Sequence, residues 1–280
     1  MSLPCTRKPG ISWPRQRPGA ALGALAALAV LALAAPARAV SGTVDSPTNT
    51  ADIRFCVDEA NPLADADRAV AQAVAALIGQ RAEFVQLNTG DDGVGGDADD
   101  VKIDPGKAFA QMAGQCDLVM GVPVEANGAG VPHGLQATRP YARTGFVMAT
   151  TGAPLRDFDA MAATADIGVD YLTVPNSYFD AHTAHAEHVY YTNDDLLAAL
   201  LKGEVGAAMV WQPWLVKEEA AHPHALRAAV MNMPDALWNV VALYMPPAAP
   251  QARAFNEGLE RLEQAGQLRA LVAPYQAAGE

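Results

Sequence analysis

Two apolar runs, Ile53-Arg54-Phe55-Cys56-Val57 and Cys116-Asp117-Leu118-Val119-Met120-Gly121, decide how this chain folds. Each is short, apolar and bounded by turn-forming residues, the pattern of a buried strand. Each carries its cysteine at a corresponding place, so the two read as neighbours in one parallel sheet. The chain has three cysteines. Cys5 lies in a segment expected to be removed, which leaves an even pair for an oxidising compartment. A disulfide between Cys56 and Cys116 is therefore expected. Linking residues 60 positions apart would restrict the unfolded chain by about 4 kcal/mol in the chain-entropy picture. Neither cysteine has the histidine-bearing context of a nucleophilic thiol.

Ahead of the first run, Arg7, Lys8, Arg15 and Arg17 precede an apolar stretch from Ala20 to Ala35 and then Ala37-Arg38-Ala39. That order is a secretory signal peptide over residues 1–39, cut after Ala39. Residues 40–50 read as a flexible N-terminal segment, and the mature chain is expected in the periplasm. No later segment is apolar enough over a spanning length to predict a membrane helix. Cleavage leaves 14 Lys and Arg against 31 Asp and Glu, a formal charge of −17. Nucleic acid is a poor partner for so acidic a chain. A cationic periplasmic protein such as a cytochrome would instead be steered toward it. About 240 remaining residues suffice for one large domain or two modest lobes.

Outward from the two runs, strands and helices alternate. Asp67 to Ile78 has apolar residues at helical spacing, with Asp65 or Asp67 as a cap and Gly79 as a stop. Glu83 to Leu87 alternates as a second strand, and residues 105–113 read as a short helix leading into the strand Cys116 to Val122. Further on, strands are expected at Thr144 to Thr150, Asp166 to Val169, Val205 to Trp211 and Val240 to Met245. Helices are expected from Leu155, at Asn193 to Leu201, and as a terminal pair over Ala252 to Ala273 broken near Gly266. Strand-helix-strand alternation argues for parallel sheets with right-handed crossovers.

Several of these pieces, in this order, resemble the periplasmic solute-binding proteins of family 3. They are Ile53 to Asp58, Gly114 to Gly121, Thr138-Arg139-Pro140-Tyr141-Ala142-Arg143-Thr144-Gly145-Phe146-Val147, Ile167-Gly168-Val169, and Leu200 to Trp211. The resemblance covers nearly the whole mature chain. It implies the type II periplasmic-binding fold, two α/β lobes joined by a two-stranded hinge, with a ligand gripped between them. Lobe 1 would hold residues 51–144 and 241–280, and lobe 2 residues 145–240. The paired strand cysteines, Gly121-Val122-Pro123 and the Thr-Arg-Pro-Tyr run look most like the members associated with quinoprotein alcohol and methanol dehydrogenases. That subgroup implies a non-enzymatic accessory that binds a dehydrogenase, a cytochrome or a small ligand that is not an amino acid. The alternative is a receptor that delivers a solute to an ABC permease, and a further alternative is a dehydratase-like enzyme on the same fold.

Amino-acid receptors of the family present a threonine and an arginine after the strand that here ends at Gly121, to clamp the ligand carboxylate bidentately. This chain has Val122-Pro123-Val124-Glu125-Ala126-Asn127 there. The aspartate that such receptors place after a later lobe-2 strand is replaced by Trp211-Gln212-Pro213-Trp214, and their glycine-threonine anion loop by Asp170-Tyr171-Leu172-Thr173. An aromatic, apolar cleft suits a less polar ligand or a protein partner. Because strands deliver pocket residues at their carboxyl ends, the candidate ligand-binding residues are Asp58, Glu59, Pro123, Tyr141, Arg143, Tyr178, Trp211 and Trp214. For the two tryptophans ordinary packing is the competing reading, and for Arg143 a hinge-side ion pair is.

His182, His185 and His188 with Glu187 form the most metal-like cluster, but on a helix His188 turns away from the other two, so a solvated loop is the default and no metal is assigned. The acidic loop at 91–104 lacks the order of an EF-hand. There is no nucleophile elbow, phosphate loop, dinucleotide fingerprint or zinc-protease motif, and no cofactor is implied. The dehydratase-like alternative would use an acid/base pair in the cleft, such as Glu59 with a histidine, and nothing specific in the sequence supports it.

Overall fold

The computed structural model describes residues 52–87, 110–157, 160–161, 164–171, 173–182 and 185–276. The expected signal peptide at 1–39, the expected flexible segment 40–50 and the expected acidic loop at 91–104 lie outside the described residues. Among the described residues the strands are β1 (Ile53–Asp58), β2 (Ala82–Leu87), β3 (Leu118–Glu125), β4 (Gln136–Ala137), β5 (Ala142–Thr150), β6 (Asp166–Asp170), β7 (Ala186–Tyr190), β8 (Ala207–Trp211), β9 (Arg227–Val230) and β10 (Leu237–Tyr244). The helices are α1 (Ala64–Leu77), α2 (Val174–His182), α3 (Asn193–Lys202), α4 (Gln212–Ala221), α5 (Ala249–Gln264) and α6 (Gln267–Val272).

Pairing divides the strands into two half-sheets of one pattern. In the first the order is β2-β1-β3-β10-β4, with β1 parallel to β2 and β3, and β10 antiparallel to its neighbours. In the second it is β7-β6-β8-β5-β9, with β6 parallel to β7 and β8, and β5 antiparallel to β8 and β9. The fourth strand of each half is contributed from the other half of the chain. β5 pairs with β10 over Ala142 to Gly145, then passes on to β8 and β9 from Phe146. These two strands are the crossings of a two-lobed molecule. At Gly145 they approach so closely that a Cβ would collide with the carbonyl oxygen of Ala236, and the Phe146 amide donates to that same oxygen at 2.8 Å.

Each half has a core on both faces, which is why its inner parallel strands β3, β6 and β8 read as nearly continuous apolar runs, whereas the edge strands β2 and β7 are partly exposed. Along β1, Ile53, Phe55 and Val57 enter the core beneath α1, α5 and α6, whereas Cys56 turns to the opposite core with Val119 and Val241. Phe55 packs between Phe84 and Phe255, at ring separations of 6.1 and 5.8 Å. The disulfide Cys56–Cys116 is present, with Cα atoms 5.7 Å apart. In the second half, Leu196, Leu197 and Leu200 of α3 pack with Val147 and Val210. Thr192 caps α3 by accepting from the Asp195 amide at 3.1 Å, and Gly203 (φ 76°) ends it.

Three local readings need correction. Cys116 sits in the turn before β3, which starts at Leu118 and runs on through Pro123 to Glu125. Asp67 is no helix cap, because α1 begins at Ala64 and has no side-chain cap. Of the helix-like unit expected over Leu155 to Met161, Arg156 and Asp157 are bends and Ala160 lies in a 3-10 turn, with no α-helix among the described residues. Gly79 (φ 71°) and Gly266 (φ 68°) adopt the left-handed conformation at the expected helix breaks.

Candidate functional site: the seam between the lobes

The parallel strands of the first half end at Asp58 and Glu125, and those of the second at Asp170 and Trp211. The loops that follow them, together with the crossing strands, border the seam between the halves, where sheets of this type present ligand-binding groups.

On the first side, Asp58 closes a tight turn. Its Oδ1 accepts from the Ala60 amide at 3.0 Å, and its carbonyl from the Asn61 amide at 3.0 Å. The Glu59 carboxylate is held by Arg68, which also reaches Asp65 at 3.6 Å. Asn61 ties this loop to the end of β3, since its Nδ2 donates to the Gly121 carbonyl at 3.2 Å. Pro123 stands exposed on β3 opposite Val240.

Tyr141 is buried behind the seam. Its hydroxyl donates to Asp67 Oδ1 at 2.5 Å and accepts from the Gly121 amide at 2.7 Å. Asp67 is only 1 % exposed. Burial pushes its carboxyl up to about 7 despite the Tyr141 hydrogen bond, and burial, then the Asp67 charge, push the Tyr141 hydroxyl well above the usual tyrosine range. Gly121 (φ 77°) is required here, because a Cβ would run into Asp67 Oδ2 and Asn61 Nδ2. Tyr275 completes the cluster by donating to the Pro62 carbonyl at 3.0 Å.

On the second side, Asp170 is half-buried and accepts from Asn193 Nδ2 at 2.9 Å; burial raises its carboxyl more than that bond and the Tyr171 amide lower it. Tyr171 and Tyr191 lie at the ends of β6 and β7 with ring centroids 5.1 Å apart, 46 % and 79 % exposed. Tyr178 lies on α2 and is half-buried. Trp211 packs against Phe146 at 4.9 Å and edge-on to Trp238 at 6.5 Å. Trp214 carries the Lys217 ammonium over its ring at 4.7 Å and packs on the second-half core. Arg143 is exposed on β5 opposite Asn239.

The candidate residues therefore divide. Asp58, Glu59 and Trp211 lie at strand ends, Pro123 is exposed within β3, Tyr178 is half-buried on α2, Tyr141 and Trp214 take part in packing, and Arg143 is exposed on a crossing strand. Sequence reading missed Phe146, Trp238, Thr144 and Gln212. Thr144 (fully buried) pairs with Trp238 on the crossing strands, and Gln212 (6 % exposed) follows Trp211. Thr144 Oγ1 and Gln212 Oε1 are buried without a hydrogen-bond partner. Alternation along β5 could have placed Thr144 and Phe146 on one face; nothing local marks Gln212. Of the histidine cluster, His188 faces Asp166 at 3.4 Å across β6 and β7, the His182 side chain lies outside the described residues, and among described residues no group of three His, Cys, Asp or Glu is placed to hold a metal ion.

No family model and no curated protein matches this chain. Solved structures do. The second substrate-binding domain of a proposed amino acid ABC transporter from Streptococcus pneumoniae is 16 % identical over 81 % of this chain and 100 % of its own, with a TM-score of 0.60. Substrate-binding domain 2 of Lactococcus lactis GlnP, in an open conformation, is 14 % identical over 82 % and 97 %, TM-score 0.61. The chain has the type II periplasmic-binding fold. An ancestral amino-acid-binding protein described as a precursor of cyclohexadienyl dehydratase shares it at 15 % identity over 80 % and 95 %, TM-score 0.54. At these identities the likeness carries the fold. No described helix is long and apolar enough to cross a membrane.

Proposed function

We propose that the mature chain is an extracytoplasmic solute receptor that closes two lobes on a small ligand and presents it to an ABC importer. The lobes divide between residues 144 and 145 and between 240 and 241. The observation that carries the reading is the seam itself. An aromatic trio, Phe146, Trp211 and Trp238, lies where the crossing strands meet the end of β8, and two buried polar groups beside it, Thr144 Oγ1 and Gln212 Oε1, have no partner in the protein. Buried polar groups are hydrogen-bonded in the great majority of cases, so unpaired ones next to aromatic walls suit a ligand with an apolar body and a few polar groups. The missing arginine and aspartate anchors argue for a ligand other than an α-amino acid. Likeness to substrate-binding domains of amino acid transporters supports the receptor over the dehydrogenase accessory, for which none of the structures named above offers a counterpart.

The test is native mass spectrometry of the protein purified from its own periplasm, followed by small-angle scattering with and without the molecule released. A bound small molecule that compacts the protein, and whose capture is lost in Trp211→Ala, is the expected result. A stable complex with a quinoprotein dehydrogenase or cytochrome and no small molecule would overturn it. Turnover of the released molecule, lost in Glu59→Gln, would favour the enzyme.

A further inference from the structure

Four side chains share one face where the crossing strands meet β8. Thr144 lies opposite Trp238, and Phe146 opposite Trp211. Directly opposed residues of antiparallel strands point to the same side, as do residues two apart on one strand. Thr144, Phe146, Trp211 and Trp238 therefore stand together, while Arg143 and its pair Asn239 turn to the opposite face. The ring contacts agree with this placement, 4.9 Å from Phe146 to Trp211 and 6.5 Å from Trp211 to Trp238. The Trp238 indole N–H is engaged by the Asp235 carbonyl at 2.8 Å, so what this half-buried side chain has left to offer is ring surface.

The groups available to a ligand here are electron-rich. The rings are inclined by 59° and 84°, so neither pair is stacked face to face. One cation can then lie within the ~6 Å of both indole centroids that a cation–π contact requires. Thr144 Oγ1 and Gln212 Oε1 are buried and have no partner, and an amide oxygen can only accept a hydrogen bond. The neighbouring parallel strands end in Asp170-Tyr171 and Tyr190-Tyr191, which add a carboxylate and two exposed rings but no lysine or arginine. On the first side, the Arg68 guanidinium is held by Glu59 and Asp65. The kind of cation follows from the same groups. A primary ammonium brings three N–H donors, and the trio supplies no carboxylate to receive them. A quaternary ammonium donates none, and its methyl groups carry the charge directly onto ring faces.

We propose that the seam takes a small quaternary ammonium compound, its charged end against Trp211 and Trp238 and a hydroxyl donating to Gln212 Oε1. This ligand class rests on the receptor reading. The probe is choline, titrated by calorimetry into the mature protein, with its uncharged isostere dimethylbutanol and the primary ammonium ethanolamine as matched controls. Choline should bind about tenfold or more tightly than either, and Trp211→Ala or Trp238→Ala should each weaken it about tenfold. Gln212→Leu should weaken choline about fivefold and leave tetramethylammonium, which has no hydroxyl, unchanged. Fluorotryptophans keep the shape of the rings and draw charge from their faces, so choline affinity should fall with each added fluorine while that of dimethylbutanol holds. That readout remains even if an alanine variant fails to fold. Either control binding as tightly as choline, an affinity indifferent to fluorination, or no saturable choline binding up to about 10 mM would each overturn the ligand class. Equal losses of choline and tetramethylammonium in Gln212→Leu would overturn the hydroxyl contact. The receptor reading is judged separately. A neutral or anionic molecule carried from the periplasm that compacts the protein leaves it standing and rejects the quaternary ammonium, whereas a protein complex with no small molecule rejects both.

Discussion

Asp67 should make this protein less stable as pH rises from about 4 to about 7, and Asp67→Asn should abolish that dependence. The carboxyl is 1 % exposed, accepts from Tyr141 at 2.5 Å and has its pKa raised to about 7 by burial. In the unfolded chain an aspartate titrates near about 3.9. Between those values the folded state holds a proton that the unfolded state has lost. Stability therefore falls with pH at about 1.4 kcal/mol per pH unit over that window. The stabilising effect of the protonated form is complete below about pH 4 and is lost by about pH 7, some 4 kcal/mol in all. Asparagine keeps an acceptor for the Tyr141 hydroxyl and cannot ionise. The assay is urea unfolding of both proteins at a series of pH values from 4 to 8, followed by circular dichroism. Subtracting one profile from the other cancels the remaining titrating groups. The variant should match or fall slightly below the parent at the acid end and gain on it steadily toward neutrality. Parallel profiles across the whole range would refute the assignment, and with it the claim that the Asp67–Tyr141–Gly121 cluster is sealed from water.

Replacing both Cys56 and Cys116 by serine should lower stability by about 4 kcal/mol, because the loop between them is long; a thermal midpoint unmoved by either substitution or reductant would contradict this. Gly145→Ala should cost about 2 kcal/mol in urea unfolding, since its methyl meets backbone rather than a yielding side chain, and an unchanged midpoint would mean that the crossing strands are not in contact there. Gly121→Ala should be worse, as it combines a left-handed backbone with a clash against a buried carboxylate.

The half-sheets were legible through their inner strands β3, β6 and β8, which are buried on both faces and read as nearly unbroken apolar runs. The α3 helix was legible because Thr192, Asp195 and Gly203 mark its ends chemically. Where the signal was tertiary the sequence was silent. Helix α4 has no amphipathic stripe, with Gln212, Pro213 and Leu215 buried and Trp214 covered by Lys217. Strand β9 is only four residues and is defined by its pairing with β5. Asp67 looked like a cap because aspartate favours helix starts; its true partner, Tyr141, is 74 residues away and belongs to a different element.

Tyr141 shows why strand ends alone do not delimit a binding site. A tyrosine at the start of a crossing strand has the reach and polarity expected of a ligand contact, yet its hydroxyl already has a donor and an acceptor inside the protein. A satisfied buried group gains nothing from a ligand, whereas an unsatisfied one carries a desolvation penalty of about 1–3 kcal/mol until something pairs with it. By that criterion Thr144 and Gln212, rather than Tyr141, are the buried groups near the aromatic trio that still lack a partner. The same criterion gives Tyr141 a different task. By holding the Gly121 amide while Asp67 stays protonated, it fixes the end of β3 against α1.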